Sequence, residues 1–358
     1  MDSGLEGVVA AETVLSHSDG ARGILWVRGH TLDELVADYG FEGAVALLWD
    51  GFDGDGLTGS AIRATLGEAR DAAFARIGEW LGAAARRPLS EGVRVALASL
   101  CEDSTPAAIL ATLPVAIAVL IRTSRGEALL APSPDLGVAA DLLRMVHGHP
   151  VAEPMAAGLD TYFTAVVDNG LNASSFAARV VASTRASLVA AALGAYCAFT
   201  GPLHGGAPGP TLDMLDAAAA SGGIEGWIER KLAAGERLMG FGHRVFRNGD
   251  PRAEALRGAL RRLDPSAGRL ACAAEVERCV REVCARLKPG RPPLQPNVEI
   301  NAALLLDAVG LPRAAFTPVF AVARCAGWLA HAMEQRKAGR LIRPSSVYVG
   351  PVPAADLR

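Results

Sequence analysis

Leu238-Met239-Gly240-Phe241-Gly242-His243-Arg244-Val245-Phe246-Arg247-Asn248-Gly249-Asp250-Pro251-Arg252 is the stretch on which the reading of this chain turns. Gly240 and Gly242 allow positive φ or close approach of backbone to a ligand, so His243 is presented at the mouth of a tight loop. No third glycine follows and no strand pattern precedes, which rules against the dinucleotide-binding turn of an α/β sheet. Asp250-Pro251 reads as an N-cap followed by proline at the first helical position. The loop therefore opens a helix, with Arg252 in its first turn, where the helix N-terminus already favours anions. A histidine and an arginine are thus offered together to a small carboxylate.

The rest of the chain agrees with a helical setting. Apolar residues make up 51% and aromatics only 5%, an aliphatic composition suited to helices packed on helices. Strand-helix-strand alternation is missing, and 358 residues suffice for two domains or lobes. With 35 Lys+Arg against 38 Asp+Glu, no basic footprint for nucleic acid is present. Cys101, Cys197, Cys272, Cys279, Cys284 and Cys325 show no metal-ligand spacing and read as buried thiols in a reducing cytosol. Met1 to Ala11 has no signal-peptide pattern, and the apolar run Ala107 to Ile121, interrupted by Pro114, reads as too short to span a membrane. A cytoplasmic protein with no nucleic-acid or membrane partner is expected.

Along the chain, Asp19-Gly20 and Gly23 to Val27 suggest a small hairpin, and Thr31-Leu32-Asp33-Glu34 has capping-box spacing. Helices are expected at about 41–50, 60–83, 90–101, 106–122, 136–147 and 154–168. One more runs from the cap Asn172 to about 199, and others cover about 211–220, 224–234, 251–263 and 270–287. Asn297 opens a further helix, an apolar segment runs from Ala314 to about 337, and the tail from Arg340 is irregular.

Three ionisable groups stand at helix starts or in glycine-bearing loops: His204, His243 and Glu299. A carboxylate and two imidazoles suit proton removal beside a carbonyl, one group abstracting and the others polarising oxygen. Arg252, Arg324 and Arg343 can pair bidentately with a di- or tricarboxylate. Plainer readings stand beside these. His204 can simply order its loop, Glu299 can serve the first turn of its helix, and Arg324, in an apolar run, can sit in a structural ion pair. The remaining histidines lack paired-ligand spacing, so no metal site is expected.

At these residues the chain resembles the citrate synthases. The specific motifs are Gly201-Pro202-Leu203-His204-Gly205-Gly206-Ala207, Met239 to Val245 with Asp250-Pro251-Arg252, and Asn297-Val298-Glu299, in the family's order. The resemblance implies an all-α, two-domain helical fold with a small N-terminal β-hairpin. Residues 1–206 and 313–358 would form a large domain and 207–312 a small one that closes over the substrates. It implies the acyltransferase reaction of the tricarboxylic acid cycle: condensation of acetyl-CoA with oxaloacetate, then hydrolysis to citrate and coenzyme A. No cofactor is implied beyond the coenzyme A thioester as substrate. By the same resemblance, His204 hydrogen-bonds the thioester oxygen, His243 polarises the oxaloacetate carbonyl, and Glu299 is the base. Arg252, Arg324 and Arg343 bind carboxylates, Arg343 being supplied across a homodimer.

Three positions depart from the family's usual pattern. Glu299 stands where aspartate is commoner, Pro208 where asparagine is common, and Asn169 where a histidine contacts oxaloacetate. Asparagine donates a hydrogen bond but cannot become cationic. These departures leave open a 2-methylcitrate synthase using propionyl-CoA, a different 2-oxo acid, a citryl-CoA lyase, or a non-catalytic binder of citrate or coenzyme A.

Overall fold

The computed structural model describes residues 4–5, 7–53, 56–206, 208–242, 250–263, 268–287, 290 and 294–351. Near its start, β1 (Ser16–Asp19) pairs antiparallel with β2 (Ile24–Val27), the expected hairpin, with Ser16 opposite Val27. A third strand, β3 (His30–Thr31), extends it into a sheet of order β1-β2-β3. Its turn holds Arg28 and Gly29 at φ 52 and 86, the two successive positive values of the tight turn whose twist matches a hairpin.

Thr31 forms the predicted capping box with Glu34 and opens α1 (Leu32–Glu34), which passes through a π-helical turn into α2 (Gly40–Trp49). The helix expected over 60–83 is broken. Here α3 (Gly59–Ala75) ends at Arg76, a 3₁₀ turn covers Ile77–Glu79, and α4 is Leu81–Ala84. Arg76 spans the break to Glu79, and the bend buries Trp80. Then come α5 (Leu89–Ala98) and α6 (Pro106–Ser124), capped by Thr105. By length and hydropathy α6 would suffice to cross a membrane, beyond what the apolar run suggested, yet most of it is buried inside the protein. Next are α7 (Val138–His147) and α8 (Glu153–Ala165).

A single helix over 172–199 is also corrected, to α9 (Ala173–Ser183) and α10 (Leu188–Phe199). Arg185, at φ 67, turns the chain left-handed, and Ser187 caps the second helix. The two then pack as a hairpin, with Gly194 of α10 close to Val181 of α9.

The remaining helices are α11 (Pro208–Ala219), α12 (Ile224–Ala233), α13 (Pro251–Leu263), α14 (Gly268–Leu287), α15 (Val298–Ala308) and α16 (Phe316–Ala338). Most of α16 is buried against α9, α10 and α6, and α8 meets α13 and α15. Gly158 lets the two approach closely there: a Cβ would come within 2.8 Å of Leu263 Cδ1 and make that side chain move. Of the six thiols, Cys279, Cys284 and Cys325 are buried as expected, whereas Cys101 and Cys197 are exposed and Cys272 is half-buried. Exposure follows from their places, since Cys197 faces outward on α10 and Cys101 sits just beyond α5.

Candidate active site

The glycine loop is backed by the segment that leads into α15. Gly242 N donates to Gln295 O (2.8 Å) and Asn297 N to Gly240 O (2.9 Å). Gly240, at φ +78, could not carry a side chain, since its Cβ would lie 2.5 Å from Ile300 Cγ1. Asn297 caps α15 by accepting from Glu299 N, and its amide donates to Gly242 O, so cap and loop hold each other. His243 lies outside the described residues.

Asp250 acts as the sequence indicated and does more. Its Oδ1 accepts from Arg252 N at the start of α13, and its Oδ2 accepts from Val298 N at the start of α15. It also grips the buried Arg252 guanidinium from two sides, at 2.8 and 2.7 Å. Burial would lower the Arg252 pKa, but the Asp250 carboxylate outweighs it and the value rises. One aspartate therefore caps two helices and orients the arginine between them.

Glu299 follows in the first turn of α15. Its Oε2 is sealed from solvent and has no hydrogen-bond partner among the described residues. Burial pushes its pKa up to about 7; Arg252 and Arg324 pull it down and Asp250 adds to the rise. A carboxylate so placed is a stronger base than an exposed one and still ionises near neutrality.

Arg324, in the middle of α16, is buried. Its Nε donates to Val166 O (2.9 Å) and its guanidinium lies 5.0 Å from the Phe320 ring centroid. Among the described residues no carboxylate lies within ion-pair distance, so the structural ion pair left open by the sequence is not formed. Burial lowers its pKa to about 10, opposed by the field of Asp168 and reinforced by Arg252. A buried cation without an ion-pair partner is costly unless an anion arrives to meet it.

His204 sits beyond α10, held by Gly205, where a Cβ would collide with the Phe199 ring at 2.6 Å. Its Nε2 is 2.8 Å from Ser174 Oγ and accepts from Ser174 N (3.3 Å), at the N-terminus of α9. A backbone N–H can only donate, so Nε2 is bare and the ring proton is on Nδ1. Burial and then Arg324 lower the His204 pKa to about 4, keeping the imidazole neutral. Asn169, at the loop before α9, accepts from Ser18 Oγ of β1 (2.8 Å), a bond that does not use its amide N–H groups.

Arg324 is the common neighbour: its charge is felt by His204 and by Glu299 and it repels Arg252, so the four side chains share one region, the two arginines buried and His204 and Glu299 half-buried. Arg343 is not in it. It is exposed on the extended tail after α16.

A sequence-family model described as "Citrate synthase, C-terminal domain" matches residues 4–345. The chain belongs to the citrate synthase family. A putative citrate synthase 2 from Mycobacterium tuberculosis is 37% identical, covering 98% of this chain and 93% of that protein. A 2-methylcitrate synthase from the same species is 33% identical, over 97% of this chain and 90% of its own length. Among solved structures, citrate synthase of Thermoplasma acidophilum in a ternary complex with carboxymethyl coenzyme A and oxaloacetate superposes with a TM-score of 0.86. It is 25% identical, over 99% of each chain.

Within this citrate synthase fold the sequence reading missed one group at the cluster. Tyr162 of α8 is buried, its hydroxyl has no partner among the described residues, and it feels Glu299, Arg324 and Arg252. Burial raises its pKa well above the ordinary value, so it stands as a neutral O–H. No sequence signal marked it, because it occupies an inward position of an apolar helix. Ser174 was legible only as part of a cap, since its partner His204 is thirty residues away.

Proposed function

We propose that the chain condenses acetyl-CoA with oxaloacetate and hydrolyses the product to citrate and free coenzyme A. The observation that carries this reading is the buried guanidinium of Arg324, without a carboxylate partner among the described residues, felt by a Glu299 carboxylate whose Oε2 likewise has no partner among them. Glu299 takes a proton from the thioester methyl group. The Nδ1–H of neutral His204 donates to the thioester oxygen as the enol forms, since the bare carbanion would be too high in energy. The methyl carbon then bonds to the oxaloacetate carbonyl carbon, whose oxygen His243 polarises and which takes up a proton. Water finally cleaves the thioester and releases the thiol.

Arg252 and Arg324 hold oxaloacetate carboxylates, and Arg343 reaches the partner subunit's site in a homodimer. Asn169 offers its amide N–H to the same substrate. Residues 207–312 close as a small domain on the remainder, so that Glu299 and Arg252 approach His204 over bound substrate. The reaction so written uses the coenzyme A thioester as substrate and calls on no further cofactor. Six unbridged cysteines support a cytoplasmic setting.

Release of free thiol from acetyl-CoA, dependent on oxaloacetate and above the hydrolytic background, is the expected result. Its absence in pure dimer that still gains thermal stability from both ligands would leave a binding protein without turnover. The 33% identical 2-methylcitrate synthase favours one rival, turnover of propionyl-CoA. A panel of acyl-CoA esters and 2-oxo acids, compared by kcat/KM, decides between them.

A further inference from the structure

A second buried polar array runs beside the site and takes no part in the chemistry above. Asp168 is buried next to Asn169, and Ser16 Oγ donates to its Oδ2 at 2.5 Å. His331 Nε2 of α16 lies 3.3 Å from the same oxygen. Behind it, Arg179 Nε donates to His331 Nδ1 (3.0 Å), which places the ring proton on the Asp168 side. Arg179 is paired with Glu334, and its Nη1 donates to Gln335 Oε1 (3.1 Å). The Gln335 amide is then fixed in orientation, and its Nε2 donates to the carbonyl of Arg340 at 2.9 Å. Two residues on, Ile342 N donates to Ser183 Oγ (3.1 Å) on the same helix, α9, as Arg179. The next residue is Arg343.

We propose that Gln335 is a positioning residue for the partner subunit's reaction. It pins the extended tail at Arg340, with Ser183 as the second anchor, so that Arg343 is presented across the dimer in one register. This rests on the reading of Arg343 as a carboxylate-binding residue. The anchor has chemical logic. After α16 ends at Ala338, residues 340–351 have no regular structure, so backbone bonds to buried side chains limit their freedom. Gln335 is suited because one end must accept from Arg179 while the other donates to a carbonyl. Glutamate would serve the first contact and fail the second.

Gln335→Glu is therefore the variant to make, because shape and the contact to Arg179 survive. Losing one hydrogen bond of ordinary strength predicts an oxaloacetate KM raised up to about tenfold. The acetyl-CoA KM, kcat at saturating oxaloacetate and the melting temperature should stay near wild type. Ser183→Ala should shift the oxaloacetate KM in the same direction. In an Arg343→Ala background Gln335→Glu should add nothing further. An unchanged oxaloacetate KM in Gln335→Glu overturns the anchor, as does an effect that multiplies with that of Arg343→Ala. If Arg343→Ala alone leaves the oxaloacetate KM unchanged, the reading of Arg343 itself is wrong and the anchor goes with it.

Discussion

The backbone N–H of Ser174 points at Nε2 of His204 from 3.3 Å, at the N-terminal end of α9. A donor in that place, reinforced by the positive end of a helix, opposes a proton on Nε2. With burial and Arg324 lowering the pKa to about 4, the ring stays neutral with its proton on Nδ1. Nitrogen-detected NMR should show this tautomer, and no protonation of His204 until the pH falls to about 4. Titration near 6.5 would show that the ring is not enclosed as described.

Glu299 carries the opposite shift. Its pKa of about 7 exceeds the ordinary 4.5, so between those values the native state keeps a proton that the unfolded chain has lost. Stability should therefore fall as pH rises through that window, by about 3 kcal/mol in all. Glu299→Gln removes the buried charge and should melt higher than wild type at pH 8, with turnover lost. For the wild type, kcat/KM should fall below about pH 7 as the base is protonated. A Glu299→Gln variant that turns over normally would remove the base from the mechanism.

Tyr162→Phe probes a group that periodicity could not reveal. The hydroxyl is buried without a partner among the described residues, a penalty of roughly 1–3 kcal/mol in the unliganded protein. Removing it while keeping the ring against Phe163 and Phe320 should leave the protein as stable as wild type or more so. If the O–H serves bound substrate, kcat/KM falls at the same time. Thermal melting and steady-state kinetics on one preparation read both.

Local signals were legible wherever the residues that decide an element are neighbours in sequence. The Thr31 capping box, the Asp250-Pro251 helix start and the Asn297 cap are all contained within a few residues, and all formed. The break at Arg185 was not legible, because nothing in an arginine between apolar helical segments announces a positive φ. At the site, residue types were readable but pairings were not. Arg252 with Asp250 is local, whereas His204 with Ser174 and Ser18 with Asn169 depend on how α9, α10 and the N-terminal sheet pack. Arg324 was an open choice between ion pair and ligand clamp, and only tertiary structure could show that no carboxylate among the described residues meets it.

That unmet charge gives a further test. Arg324→Met removes a buried cation that has no ion-pair partner among the described residues, so the unliganded variant should not be less stable than wild type. Oxaloacetate should raise the melting temperature of the wild type and leave that of Arg324→Met unmoved. The oxaloacetate KM should rise by roughly 30-fold or more, the scale for losing one side of a buried charge contact. A variant with normal oxaloacetate affinity would return Arg324 to a structural role.

Asn169 allows a test of charge at fixed shape. Its Oδ1 accepts from Ser18, a contact that aspartate preserves, so Asn169→Asp changes little except that it adds a negative charge where the proposed reading puts the oxo acid. A carboxylate facing an incoming dianion replaces an N–H donor with a repulsive charge, and two like charges at 4 Å cost about 4 kcal/mol in a partly buried setting. The oxaloacetate KM should rise by at least tenfold, with the acetyl-CoA KM unaffected. Asn169→His restores a side chain that can bear positive charge beside Ser18, and should lower the oxaloacetate KM most at acidic pH, where the imidazole is protonated. If neither substitution moves the oxaloacetate KM, Asn169 does not touch the oxo acid, and its bond to Ser18 only ties the loop before α9 to the N-terminal sheet.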